Sequence, residues 1–211
     1  QNATFDIVVF LNLSPDHLDR HGDIPDYIKS KRQIFREKVD VAEPQVAIIG
    51  VDDENGRSLY REFTQRGGWK TIAISMSDTL ADGFYVNNGI LYEAHANESG
   101  PLYDLSHTYN LLRIHKAQNT AAAVAVGKTL GIKDHKLADA ITSYPGLPHR
   151  MENLGKINDV TFINDSKATN SLAAASAIAC YQNILWIAGG QAKDDGLAEI
   201  MPHRKKIRHA F

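Results

Sequence analysis

The sequence has one cysteine, Cys180, so no disulfide can form within the chain. Set in an alanine-rich segment, that thiol is expected to be a small buried apolar group. There is no surplus of positive charge: 23 Lys and Arg stand against 25 Asp and Glu, a formal net charge of −2. A nucleic-acid footprint is therefore not expected. Long hydrophobic runs are missing too. The longest, such as Ile184 to Ala188, is far too short to span a bilayer, and no secretory signal opens the chain. These absences favour a cytoplasmic protein without membrane insertion. No internal repeat, low-complexity stretch or GxSxG nucleophile elbow is present. A phosphate-binding GxxxxGK[ST] loop is missing as well. Val126-Gly127-Lys128-Thr129 supplies its last letters, but Ala122 stands where the first glycine belongs, and the segment reads as helix interior.

What is there is the balance of a soluble globular protein, 43% hydrophobic and 23% charged. At 211 residues the chain is one large domain or parts of two. Both ends read as cut. Gln1 leads almost directly into a strand-like run, and the basic stretch His203 to His209 stops at Phe211 without a capping signal. The chain is thus expected to be a fragment.

Ile7 to Leu13 is a short β-branched run, read as a buried parallel strand. Pro25 suits a first helical turn, and Tyr27, Ile28, Lys31, Ile34 and Phe35 follow at helical spacing. Val46 to Gly50 reads as a second strand, Asp52 and Asp53 as candidate caps for a helix through Leu59, Tyr60 and Phe63, and Thr71 to Ser75 as a third strand. This strand–helix rhythm implies an α/β fold with a mostly parallel sheet and flanking helices. Between Gly83 and Leu112 the pattern changes to short runs, Phe84 to Val86, Ile90 to Tyr92 and Leu102 to Leu105, with a hairpin turn at Asn88-Gly89. A small antiparallel sheet is expected there. An alanine-rich helix from about His115 to Leu130 and another from Lys133 to Ser143 precede Tyr144-Pro145-Gly146-Leu147-Pro148. That proline–glycine cluster places a domain boundary between 1–145 and 146–211. Beyond it, Thr161 to Asn164, Ser171 to Tyr181 and Ile184 to Ala188 alternate as strand, helix and strand, the start of a Rossmann-like α/β domain.

Three motifs carry candidate chemistry. Leu11-Asn12-Leu13-Ser14-Pro15-Asp16-His17-Leu18-Asp19-Arg20-His21-Gly22 sets carboxylates, imidazoles and a guanidinium at the carboxyl end of a parallel strand, the edge where open α/β sheets bind ligands. Such a loop suits metal or substrate contacts, or simply caps a helix; spacing alone selects no metal. Lys31 lies four residues from both Tyr27 and Phe35. A helical lysine is ordinarily a solvated charge, but on a core-facing stripe its amine would be partly buried unless it snorkels, and burial favours the reactive neutral form. Third, Gly146-Leu147-Pro148-His149-Arg150-Met151-Glu152 is followed by Asn164-Asp165-Ser166-Lys167-Ala168-Thr169-Asn170 in a strand-to-helix turn. These residues can hold an anion at a helix N-terminus, or cap the helix through Asp165, Ser166 or Asn170. Gly189-Gly190-Gln191-Ala192-Lys193 repeats the theme.

The first motif resembles the central-domain signature shared by the Mur ligases and folylpolyglutamate synthases. The GLPHRME and NDSKATN segments resemble the D-glutamate-adding branch of the Mur ligases, and the likeness covers nearly the whole chain in order. The resemblance implies the second half of a central ATPase domain, without its P-loop, over 1–145, and the first part of a C-terminal Rossmann-like domain over 146–211. It implies a cytoplasmic, monomeric, ATP- and Mg²⁺-dependent ligase. Such an enzyme joins D-glutamate to UDP-N-acetylmuramoyl-L-alanine through an acyl phosphate, in peptidoglycan synthesis and hence cell-wall biogenesis, cell shape and cell division.

Residue by residue, the resemblance makes His17 a ligand of Mg²⁺ and Lys31 a carbamylated lysine orienting that metal. Asn119 would lie near adenine, Arg150 and Asp165 on the phosphate and ribose side, Thr169 and Lys193 at the D-glutamate carboxylates, and Lys167 in the same catalytic cluster. These groups are expected to meet in one cleft. Lys116, in His115-Lys116-Ala117-Gln118-Asn119, stands where the family has an asparagine. The fragment alone is expected to be inactive. The alternatives are a folate-polyglutamating relative, which the NDSKATN cluster disfavours, and a remnant acting only as a binding module.

Overall fold

The computed structural model describes residues 3–13, 24–38, 42–106, 114–190 and 196–211, with Ile24 and residues 114–116 described by backbone alone. Its contacts divide the chain into two compact units, Gln1–Tyr144 and Pro145–Phe211.

The first unit is built on a six-stranded sheet whose strands lie side by side in chain order: β1 (Ile7–Phe10), β2 (Gln45–Gly50), β3 (Trp69–Ser75), β4 (Gly83–Asn87), β5 (Ile90–His95) and β6 (Glu98–Asp104). β1 to β4 are parallel, and β4 to β6 antiparallel. The antiparallel strands continue the parallel sheet through the pairs Ile74–Phe84 and Ser75–Tyr85. Both hairpin turns use left-handed backbone, at Asn88-Gly89 and at Ala96-Asn97. The latter lets β6 begin at Glu98, ahead of the expected Leu102.

Helices α1 (Ile24–Arg32) and α2 (Glu54–Arg66) connect the first three strands, while α3 (Ile114–Thr129) and α4 (Asp134–Ser143) follow the sheet. Every residue of β2 is buried, and its alternation separates two cores. Val46 and Ile48 point toward Ala117, Ala121, Val124 and Ala125 of α3; Ala47 and Ile49 point toward Leu59 and Phe63 of α2, with Phe35 and Trp69. Burial on both faces explains why the β2 sequence is apolar from Val46 onward. Alanines on α3 let that helix lie close to the sheet.

Two expectations change here. The run from Ile7 was read as a buried strand to Leu13; β1 ends at Phe10, occupies the outer position among the described strands, and leaves Val9 exposed. α1 stops at Arg32, where Gln33, Ile34 and Phe35 donate to carbonyls three residues back. The stripe through Tyr27 and Lys31 therefore does not extend helically to Phe35, and the Lys31 side chain is exposed rather than partly buried.

In the second unit, β7 (Glu152–Ile157) pairs antiparallel with β8 (Val160–Asn164), and β9 (Ile184–Trp186) pairs parallel with β10 (Ile207–Ala210). Helix α5 (Ser171–Ile178) and a 3₁₀ stretch (Ala198–Lys206) pack Ala175, Ile178 and Ile200 against Ile184, Trp186 and Ile207. α5 ends before Cys180, so the thiol is exposed, contrary to the buried role expected of it, and donates to the Ser176 carbonyl.

Candidate functional site

In the first unit Leu11, Asn12 and Leu13, the described start of the first motif, join a polar knot at the carboxyl ends of β1, β2 and β3. Asp53 caps α2, its carboxylate accepting from Gly56 N at 2.8 Å; its other oxygen accepts from Leu13 N at 3.2 Å. Asp52 does not cap. Its carboxylate accepts from Ser75 Oγ (2.7 Å), Met76 N (2.9 Å), Ser77 N (3.1 Å) and Ser77 Oγ (2.8 Å). Burial alone would raise its pKa, but these donors prevail and hold it below the usual carboxylate value.

Gln118 closes the knot. Its Nε2 donates to the Leu11 carbonyl (3.1 Å) and to Asp52 Oδ2 (3.2 Å), and its Oε1 accepts from Asn12 Nδ2 (3.0 Å). Gly50 is required beneath it. A Cβ there would meet the Leu11 carbonyl oxygen at 1.9 Å and Gln118 Nε2 at 2.8 Å. Neither Asp52 nor Gln118 was singled out as more than a cap or a motif letter. The available signal was a polar residue on the stripe with Ala121, Ala122 and Ala125, a spacing that points inward.

Of the residues singled out in this unit, Asn119 is exposed beside buried Gln118. Lys31 Nζ lies 5.2 Å from the centroid of the Tyr27 ring, within cation–π reach. His17 lies outside the described residues, and so does any test of its distance from Lys31. Among the described residues no three carboxylate, imidazole or thiol groups gather as a metal site. A metal held as the resemblance implies would draw its protein ligands from His17 and from Lys31 as a carbamate. Carbamylation needs the neutral amine, and the exposure of Lys31 removes the burial expected to favour that form.

The GKT triplet is structural. Lys128 pairs with Glu93 Oε2 (2.9 Å) and Asp134 Oδ1 (2.8 Å), and Thr129 Oγ1 donates back to the Ala125 carbonyl.

In the second unit the two C-terminal motifs are hydrogen-bonded to each other. Asp165 Oδ1 accepts from Met151 N (2.9 Å), Lys167 N donates to the His149 carbonyl (3.1 Å), and Asn164 Nδ2 donates to His149 Nδ1 (2.8 Å) and Glu152 Oε2 (3.3 Å). His149 and Met151 have φ of 62° and 53°, left-handed values that side chains adopt only when neighbours impose them. Arg150, between them, is exposed, as are Lys167 and Thr169. The helix cap is Asn170, whose Oδ1 accepts from Ala173 N (2.8 Å). Capping therefore does not need Lys167 or Thr169. Lys193 lies outside the described residues.

Leu11, Asn12 and Leu13 leave the carboxyl end of a parallel strand, the edge at which open α/β sheets commonly bind ligands. A family model for the Mur ligase middle domain matches residues 1–127. The UDP-N-acetylmuramoylalanine--D-glutamate ligase of Rhodospirillum rubrum is 40% identical over 206 residues, covering 98% of this chain and 43% of its own length. That of Rhizobium meliloti is 40% identical over 203 residues, covering 96% and 42%. Among solved structures, Mycobacterium tuberculosis folylpolyglutamate synthase complexed with ADP superimposes with a TM-score of 0.64 at 18% identity, over 93% of this chain and 45% of that one. MurF from Acinetobacter baumannii gives 0.60 at 18%, over 92% and 42%. Likeness at such identity bears on the fold alone. The chain belongs to the Mur ligase family. It spans less than half the length of the relatives named here.

Proposed function

We propose that this chain forms part of an ATP-dependent amide-forming ligase that adds D-glutamate to UDP-N-acetylmuramoyl-L-alanine, a step of peptidoglycan precursor synthesis in the cytoplasm. In this reading, 1–145 are the second half of the central ATPase domain and 146–211 open the C-terminal Rossmann-like domain. The observation that carries the reading is the latching of His149–Glu152 onto Asn164–Lys167, which joins the two segments that bear the exposed Arg150, Lys167 and Thr169. The relatives named above as D-glutamate ligases support it.

ATP supplies the phosphoryl group that turns the muramoyl-alanine carboxylate into an acyl phosphate, which the D-glutamate amine attacks with loss of phosphate. Bound Mg²⁺ would neutralise charge among the phosphates. The chain's own residues have supporting roles. Asn119 offers an amide to the adenine, while Arg150 and Asp165 address the phosphate and ribose side. Lys167, Thr169 and Lys193 offer a hydroxyl and cations to the carboxylates of D-glutamate. Lys31, once carbamylated, presents an anion in place of a cation, and His17 an imidazole, to the metal.

The test is phosphate release by a ligase of the relatives' full length that contains this chain. Release should require ATP, the muramoyl nucleotide and D-glutamate together. Release driven by a folate and glutamate instead would move the chain to the folate-polyglutamating side of the fold. The isolated 211-residue chain, which has no GxxxxGK[ST] loop, is expected to form no amide product.

A further inference from the structure

We propose that Gln118 is a positioning residue. Its carboxamide fastens Leu11 and Asn12, at the start of the His17 motif, to the carboxylate of Asp52 and to helix α3, so that this segment and Asn119 are held from one point. The inference rests on the ligase reading for its catalytic meaning, while its structural half stands on geometry alone.

Gln118 is 5% exposed, and each polar atom of its amide has a partner from the strand edge. The polarity of the knot is fixed. Two acceptors, a backbone carbonyl and a carboxylate, face Nε2, and an amide donor faces Oε1. Only a group with a donor on one side and an acceptor on the other satisfies all three, which glutamate and methionine cannot do. Asp52 is itself clamped by the hydroxyls and amides of Ser75, Met76 and Ser77 at the end of β3. The anchor therefore reaches three strands into the sheet. Leu11 and Asn12 open the first motif, residues 11–22, and precede Leu13, whose amide Asp53 holds. Position 118 also precedes Asn119 on the same helical turn, so a shift of α3 to relieve a broken knot would move Asn119 as well. A displacement of about 1 Å can cost up to about 100-fold in rate when reacting groups must align.

The first experiment uses the chain itself. Gln118→Met keeps bulk and removes the hydrogen bonds; Gln118→Glu sets a carboxylate against Asp52 and the Leu11 carbonyl. Gln118→Glu with Asp52→Asn restores a donor opposite the new carboxylate. Amide exchange should rise at least about tenfold at Leu13 in both single variants, stay unchanged at Ile48 in β2, and return toward the parent value in the double variant. Exchange rising equally at Leu13 and Ile48 would reduce Gln118 to general packing, and no change at Leu13 would overturn the proposal. The second experiment places the same substitutions in the full-length ligase. There kcat should fall about 10- to 100-fold, with the KM for D-glutamate within about twofold, and partly recover in the double variant. Unchanged kcat beside raised Leu13 exchange would overturn the catalytic half. A parent ligase without activity would sink the functional reading, and the exchange data would still decide the anchor.

Discussion

Leu137 of α4 fills the space where a side chain on Gly127 of α3 would stand, with Cδ2 at 2.5 Å from an ideal Cβ position. The glycine of the apparent phosphate-loop ending thus serves helix packing. Gly127→Ala should destabilise the first unit by about 1–3 kcal/mol through overpacking, despite the higher helix propensity of alanine. Thermal unfolding checks this, and a variant as stable as the parent would show that Leu137 yields without cost.

Asp52 should leave a signature at acid pH. Its folded pKa lies below the ordinary 3.8, because the donors from Ser75, Met76 and Ser77 outweigh burial. A depressed carboxylate contributes stability that is fully present above the unfolded pKa and is lost as pH falls through the folded one. Part of the stability lost below about pH 3.8 therefore belongs to this residue. Asp52→Asn should unfold at lower temperature than the parent at neutral pH, and the gap should narrow as pH drops from 4 toward 2. A constant gap in melting scans across that range would contradict the assignment.

Lys31 is the sharpest test of the ligase chemistry. In a full-length ligase containing this chain, Lys31→Ala should lower kcat by about 100-fold or more, the scale seen when a charge-stabilising group is lost. Added short-chain carboxylates should restore part of the rate by replacing the missing anion. Wild-type turnover in the alanine variant would remove the carbamate from the mechanism. The substitution should leave the melting temperature nearly unchanged, since the side chain is exposed.

Asn170 should separate capping from ligand binding in the NDSKATN turn. Asn170→Ala removes the acceptor for Ala173 N and should cost about 1 kcal/mol of stability. Lys167→Ala and Thr169→Ala should cost far less stability, while raising the KM for D-glutamate in the ligase. Calorimetry and initial rates together distinguish the two; loss of stability in the Lys167 or Thr169 variants would mean that they hold the turn itself.

The legible parts of the fold were those where one local rule dominated. β2 was visible because a strand covered on both faces is apolar along its run from Val46 to Gly50, and the turn at Asn88-Gly89 because that pair favours left-handed backbone. β7 and β10 were missed. Glu152–Ile157 and Ile207–Ala210 alternate poorly and are held as strands by their partners rather than by their own pattern. Lys31 was assigned to a buried stripe because helical spacing continued in the letters after the hydrogen bonding had tightened into a turn at Gln33.

By itself the sequence determined the candidate reactive groups, the α/β rhythm and the family to which the motifs belong, since these depend on residue type and order along the chain. Only the tertiary structure decided that Asp52 binds the end of β3 instead of capping α2, that Gln118 ties α3 to the root of the first motif, and that GKT packs a helix. Each of those outcomes depends on which unpaired donors and acceptors arrive together from strands distant in sequence. A buried polar atom takes whatever partner folding brings within about 3 Å.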